Sequence, residues 1–162
     1  MAIEVRRATP DDAETIAGFA MLLFEQHHDY DNDRFAAMSD SKGAAWFYGG
    51  RTQADDVAVL IAEQDSRAIG FAYIEFEAMN YGDLLENVAW LHDIYIAADV
   101  RGSGAGKKLI AASVKAAKEL GADKIVLHVA ARNAAGREFF EKVGFRTTMH
   151  EMMLGLTKKE VT

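Results

Sequence analysis

A chain of 162 residues, half of them hydrophobic, suits one domain around one packed core. Its 25 acidic residues outweigh its 18 basic ones, and the net charge of −7 speaks against a nucleic-acid surface, which needs a basic field. Cysteine is absent, which removes a disulfide framework, a thiolate nucleophile and a cysteine-based metal site.

The first residues, Met1-Ala2-Ile3-Glu4-Val5-Arg6, hold no apolar signal core, and no run approaches the length that spans a bilayer. The expectation is a single cytoplasmic domain over 1–162, with no membrane and no nucleic-acid partner. Ile3 to Arg7 alternates apolar and polar residues as a half-buried strand does. Thr9-Pro10-Asp11-Asp12 then opens a helix, with Ile16, Phe19, Ala20, Leu23 and Phe24 at helical spacing. From Asp29 to Gly50 the pattern is weaker: Arg34 to Met38 reads as a short helix, and Trp46-Phe47-Tyr48 precedes Gly49-Gly50.

Val57 to Glu63 and Ala68 to Glu77 read as the strands of a hairpin turning at Asp65-Ser66-Arg67. After the break at Asn80-Tyr81-Gly82-Asp83, Val88 to Ile96 is a long strand of bulky residues. It runs into Asp99-Val100-Arg101-Gly102-Ser103-Gly104-Ala105-Gly106-Lys107-Lys108. Lys107 to Leu120 is the clearest helix: Leu109, Ile110, Val114, Ala117 and Leu120 share one face, and Gly121 stops it. Lys124 to Val129 is a strand, and Asn133 caps a helix holding Phe139, Phe140 and Val143 that ends at Gly144. Phe145 to Leu154 closes the chain with one or two strands. This order predicts an α/β fold with a mixed sheet.

Three glycines alternate where strand turns into helix. They strip side chains from the backbone and leave bare N–H groups at a positive helix end, which is an anion site. A nucleotide-triphosphate loop needs Gly at 101 and Ser or Thr at 108, where this chain has Arg101 and Lys108. A dinucleotide fingerprint needs Gly at 107, where this chain has Lys107.

Arg101-Gly102-Ser103-Gly104-Ala105-Gly106 resembles the acetyl-CoA pyrophosphate loop of the GNAT superfamily of N-acetyltransferases. That family's pattern is Arg or Gln, two residues, Gly, one residue, then Gly or Ala. Leu91 to Leu109 is similar to the family's strand, loop and helix throughout. Val129 to Asn133 and Phe139-Phe140-Glu141-Lys142-Val143-Gly144-Phe145 resemble the next strand and capped helix. The resemblance implies a twisted sheet of six or seven mostly antiparallel strands flanked by about four helices. Around the loop the segment is similar to spermidine/spermine acetyltransferase-like members.

By this resemblance acetyl-CoA is the co-substrate and no metal is needed. Backbone groups of Arg101, Gly102, Ser103, Gly104, Ala105, Gly106 and Lys107 are expected to hold the diphosphate. Those of Ile94, Tyr95 and Ile96 are expected along the pantetheine arm and the thioester. Asn133 is expected beside that arm while also capping its helix, and Phe140 either packs the pantetheine end or fills the core. Family members often form dimers, so a homodimer is a further expectation, though the sequence marks no interface.

The implied reaction passes an acetyl group directly to a primary amine. A free alkyl ammonium has a pKa of about 10.4, so a base must remove its proton. His92 is the candidate base, because a His or Glu stands at the matching place in similar family members and imidazole titrates near neutrality. A strand His satisfied by a hydrogen bond in the core is the competing reading. Asp93 is expected on the opposite face by strand alternation. The family's usual Tyr acid is replaced by Phe140, which leaves Tyr95 or a bound water as substitutes. A thiolate, by analogy with Cys at about 8.5, can leave without full protonation.

The expected partner is a small-molecule amine that is cationic, with a protein α-amine or lysine as the alternative acceptor. A non-catalytic acyl-CoA-binding regulatory module is the rival class. Acidic and aromatic residues suited to an ammonium gather in two groups: Glu25, His28, Tyr30 and Asp31 after the first helix, and Glu77 and Tyr81 near the open end of the central strands. The adjacent His27 and His28 lack a spaced third ligand, so they do not make a metal site.

Overall fold

The computed structural model describes residues 2–157. β1 (Ile3–Arg7) leads through a single 3-10 turn at Pro10–Asp12 into α1 (Ala13–Tyr30). Asp12 locks that entry: its carboxylate accepts from the Thr9 N–H at 2.8 Å and from both terminal nitrogens of Arg6 at 2.8 Å. α2 (Ser41–Arg51) follows, with the Asp40 carboxylate accepting from the Gly43 N–H at its start. β2 (Val57–Gln64), β3 (Arg67–Asn80) and β4 (Leu85–Ile96) form a meander. α3 (Ala105–Glu119), β5 (Lys124–Val126) and α4 (Ala134–Lys142) complete the order.

The strands lie in the order β1-β2-β3-β4-β5. The first three pairings are antiparallel, and β5 joins β4 in parallel. A parallel neighbour needs a crossover, which α3 supplies. Period-two alternation divides the sheet's side chains into two cores. On one face Leu60, Ala72, Ile74, Ala89 and Leu91 pack with Leu109, Ile110 and Ala117 of α3. On the other, Val59, Ile61, Phe71 and Tyr73 pack with Ile16, Ala20 and Leu23 of α1 and Tyr48 of α2.

The α/β character and mixed sheet are as expected, but the described residues form five strands rather than six or seven mostly antiparallel ones. The shortfall is at the end of the chain. Phe145 to Leu154 forms no strand, because no backbone group from Arg146 to Thr157 finds a backbone partner among the described residues. β5 stops at Val126 rather than Val129, where its ladder to β4 ends. Arg34 to Met38 is not helical either. The Asp31 carboxylate accepts from the N–H groups of Asp33 and Arg34, which bends the chain there. The helix of that region is α2, which begins at Ser41, three positions after the expected one ends, and carries Trp46-Phe47-Tyr48.

Candidate active site

The glycine loop sits between β4 and α3. Gly102 and Gly104 have φ of +84° and +90°, a conformation that a Cβ resists. Gly106 is needed for a different reason: a Cβ there would lie 3.0 Å from the Phe139 ring of α4, so its absence lets α4 close onto the loop. The N–H groups of Arg101, Ser103 and Ala105 are engaged locally, by Ala98 O, Val100 O and Ser103 Oγ. Those of Gly102, Gly104, Gly106 and Lys107 have no protein partner among the described residues. These four donors at the positive end of a fifteen-residue helix form a cradle for a multiply charged oxyanion.

The flanking cations divide their roles. Lys108 is turned away, its Nζ donating to Ile3 O at 3.1 Å. Arg101 reaches back along β4: its Nε donates to Ile96 O at 3.0 Å, and its guanidinium lies 5.3 Å from the Tyr95 ring centre. Lys107 forms no ion pair among the described residues and so is the cation left to the cradle.

Directly above the loop, the sheet splits. β4 and β5 pair only from Val88↔Lys124 to Trp90↔Val126, so His92 to Ile96 has no strand neighbour on that side among the described residues. The Ala97 N–H donates to Ile69 O on β3, and alternation then turns the backbone groups of Tyr95 toward β3 and those of Ile94 and Ile96 toward the gap. The gap is thus faced by the backbone groups of Ile94 and Ile96, the Ile96 carbonyl already accepting from Arg101, and not by those of Tyr95. The Tyr95 ring is buried against Phe19, 5.7 Å between centres. It lines a shallow surface hollow with Glu25, Tyr30 and Arg101.

β4 carries a bulge at the edge of this gap. Its pairing with β3 steps from Tyr73↔Asp93 to Ile74↔Leu91, leaving His92 unopposed. Strict alternation would put His92 and Asp93 on opposite faces; the extra residue puts both on the face covered by α1 and α2. The Asp93 carboxylate accepts from the Tyr48 hydroxyl at 2.6 Å. The His92 ring stacks on Tyr73, 5.3 Å between centres, and on Trp90 at 6.1 Å, and it stays exposed. His92 is thus not a buried core histidine. Burial raises the Asp93 pKa above the ordinary carboxylate range, with the Tyr48 hydrogen bond and nearby His92 and His27 opposing that rise.

A second network continues along the same face. Arg51 of α2 donates from Nε to Tyr73 Oη and from Nη2 to Glu75 at 3.0 Å, and Tyr73 Oη donates to Glu75 at 2.7 Å. Burial pushes the Tyr73 and Tyr48 hydroxyls well above the usual phenol value. Glu75 is therefore neutralised by Arg51, while Asp93 forms no ion pair with any described residue. Tyr48, Arg51, Tyr73 and Glu75 were not among the sequence candidates. The one available signal was the aromatic triplet Trp46-Phe47-Tyr48.

The remaining candidates fall into different surroundings. His28 Nδ1 donates to Phe35 O and Asp31 is consumed by its own turn, so both hold the α1–α2 loop. The Tyr30 carbonyl accepts from Arg132, tying α1 to the segment before α4. Glu77 lies farther along β3, opposite Val88, and Tyr81 is exposed at the tip of the β3–β4 hairpin; neither joins the His92 cluster. Asn133 caps α4, its Oδ1 accepting from the Gly136 N–H at 2.9 Å. Phe140 packs edge-on between Phe139 and Phe145 against the core.

An anion cradle, an open strand edge above it and an exposed imidazole on a bulge beside that edge together form a site for a long phosphate-bearing ligand and a second, smaller reactant. The acetyltransferase (GNAT) family matches residues 18–145, and the chain belongs to that family, which makes it an acyltransferase by class. An uncharacterized N-acetyltransferase of Methanocaldococcus jannaschii is 26% identical over 141 residues, covering 87% of this chain and 59% of that protein. The chain therefore spans less than two thirds of that relative's length. The uncharacterized N-acetyltransferase YhfO of Bacillus subtilis is 28% identical over 145 residues, 88% of this chain and 89% of its own. Among solved structures, the aminoglycoside N-acetyltransferase AAC(6')-Iy in complex with CoA shares the fold, with a TM-score of 0.78 at 20% identity over 99% of this chain and 96% of that one. Among the described residues, no helix is long and apolar enough to cross a membrane and no group of side chains is arranged to hold a metal ion.

Proposed function

We propose that the chain moves the acetyl group of acetyl-CoA directly to the nitrogen of a small cationic amine. The observation that carries this reading is the set of four unpartnered N–H groups at Gly102, Gly104, Gly106 and Lys107, placed below the split between β4 and β5. The cradle suits a diphosphate, and the outward backbone groups of Ile94 and Ile96 suit an amide-bearing arm laid along β4. Acetyl-CoA, when bound, supplies the acetyl group as a thioester.

His92 removes the ammonium proton. It is exposed, lies on the bulge beside the gap, and is held in orientation by Tyr73 and Trp90 rather than by a hydrogen bond. Asp93 attracts the cationic acceptor: it is the carboxylate beside His92 that lacks a cation of its own among the described residues. Tyr48 fixes that carboxylate. Aromatic faces at Tyr73 and Trp90 favour a cation over a neutral amine. Aminoglycosides, acetylated by one enzyme of this fold, are amines of that class, as are the polyamines suggested by the segment around the loop.

Calorimetric titration with acetyl-CoA, followed by thiol release across polyamines, aminoglycosides, peptide α-amines and lysine peptides, tests the proposal. Turnover with the small cations supports it. Turnover confined to peptides reassigns the acceptor, and tight binding with no turnover marks a non-catalytic acyl-CoA module.

A further inference from the structure

His92 accounts for the proton that leaves nitrogen, and the sulfur that departs takes one up. Phe140 packs between Phe139 and Phe145 and has no proton to give. The Tyr95 ring is buried against Phe19. The Tyr48 and Tyr73 hydroxyls already donate to Asp93 and Glu75, and burial holds their protons more tightly than in a free phenol.

A second imidazole stands at the same split. Trp90 and Val126 form the last pair between β4 and β5. Two residues farther along, β4 carries His92 and the chain beyond β5 carries His128. Parallel strands run in one direction, so these residues occupy corresponding places on the two lips of the split. Both rings rest against the indole of Trp90, His128 at 5.2 Å and His92 at 6.1 Å between centres. Both are exposed, and neither has a hydrogen-bond partner among the described residues. The Trp90 indole N–H is itself buried and unpartnered, so packing alone holds the two rings and their nitrogens stay free. Arg34 and, more weakly, His128 hold the Glu151 carboxyl below the ordinary range, which places a carboxylate within electrostatic reach of this second imidazole.

We infer that His128 is the catalytic acid of this site, giving a proton to the sulfur while His92 on the opposite lip takes one from nitrogen. The inference rests on the proposed acetyl transfer, in which an arm laid from the cradle along Ile96 and Ile94 continues to His92. His92 first takes the ammonium proton and passes it to solvent. The freed nitrogen pair forms the C–N bond at the carbonyl carbon, and the C–S bond breaks with its electron pair on sulfur. His128 protonates that sulfur, and His92 takes the second nitrogen proton as the amide forms. The two exposed imidazoles then reset through water: His92 loses a proton and His128 regains one. Each turnover thus yields the amide, the thiol and one proton. An unperturbed imidazole titrates at about 6.5, so a pair holding one proton between them is populated near that pH.

His128→Gln removes the transferable proton at an exposed position, so the circular dichroism spectrum is expected to be unchanged. Calorimetry with CoA and with desulfo-CoA reads the contact to sulfur without turnover. The wild type is expected to bind CoA about tenfold more tightly than desulfo-CoA, the worth of a hydrogen bond from a charged donor. His128→Gln is expected to bring that ratio close to one, whereas His92→Gln is expected to leave it unchanged. In His128→Gln the kcat for amine acetylation is expected to fall about tenfold, short of the roughly hundredfold usual for a positioned acid, because a thiolate leaves readily. A ratio near one in the wild type, or a ratio or kcat that His128→Gln leaves unchanged, overturns the inference while acetyl transfer stands. A wild type that binds neither CoA nor desulfo-CoA overturns the acetyl-CoA reading and this inference with it.

Discussion

His92 and Asp93 are consecutive residues of one strand, yet both side chains lie on the face of the sheet covered by α1 and α2. The bulge against Tyr73 and Ile74 causes this, leaving the imidazole exposed and the carboxylate against Tyr48. An exposed imidazole and a carboxylate that forms no ion pair among the described residues are thereby set side by side at the mouth of the split between β4 and β5.

The first prediction concerns the imidazole. His92→Ala lowers kcat/KM about a hundredfold at neutral pH, the usual contribution of a positioned base. The rate then rises with pH, because the fraction of free amine rises. An unchanged rate and pH profile shows that His92 is not the base.

Asp93 leads to a prediction that couples stability to function. Burial raises its folded pKa, so the ionised carboxylate costs stability. In acid the group is neutral in both states and the cost is absent. As pH rises through the unfolded value of about 3.9, the unfolded chain ionises first and the cost grows until the folded carboxyl ionises. Asp93→Asn, whose side-chain oxygen can still accept from Tyr48, therefore raises Tm at neutral pH. The gain disappears in acid, and the KM for a cationic amine rises. Equal Tm differences at both pH values contradict this assignment.

Tyr48→Phe removes the hydrogen bond that opposes the raised pKa of Asp93. The acid limb of the pH–kcat/KM profile is expected to move to higher pH. Circular dichroism should show the fold retained.

At the N-terminus the sign is reversed. Arg6 holds the Asp12 carboxyl below the ordinary range, so the pair contributes stability above pH of about 4 that is lost as pH falls through the folded pKa. Asp12→Asn lowers Tm at neutral pH by about 2 °C, a modest figure because Arg6 is partly exposed. The difference vanishes in strong acid.

The loop was legible in the sequence because its chemistry is local: Gly102 and Gly104 occupy positive φ, and the donors they leave bare follow from that backbone alone. The bulge was not, since inserting one residue into an apolar strand leaves no trace in composition and alternation then assigns Asp93 to the wrong face. α2 was obscured by Gly43, Gly49 and Gly50, which lower helix propensity; the Asp40 cap and the packing of Tyr48 against Phe71 and Tyr73 offset them. Phe145 to Leu154 has a strand's composition, but a strand also needs a partner, and none of the described residues provides one.

The most direct measurement is mass analysis of an amine panel incubated with the protein and acetyl-CoA, run beside the Gly104→Ala variant. A Cβ at φ +90° strains the loop and displaces its donors, so acetyl-CoA affinity in the variant is expected to fall about tenfold. For the wild type, the account predicts a small cationic amine gaining one acetyl group on nitrogen, with an equivalent of thiol released. Acetyl-CoA binding that Gly104→Ala leaves unchanged, with no amine acetylated, would contradict it.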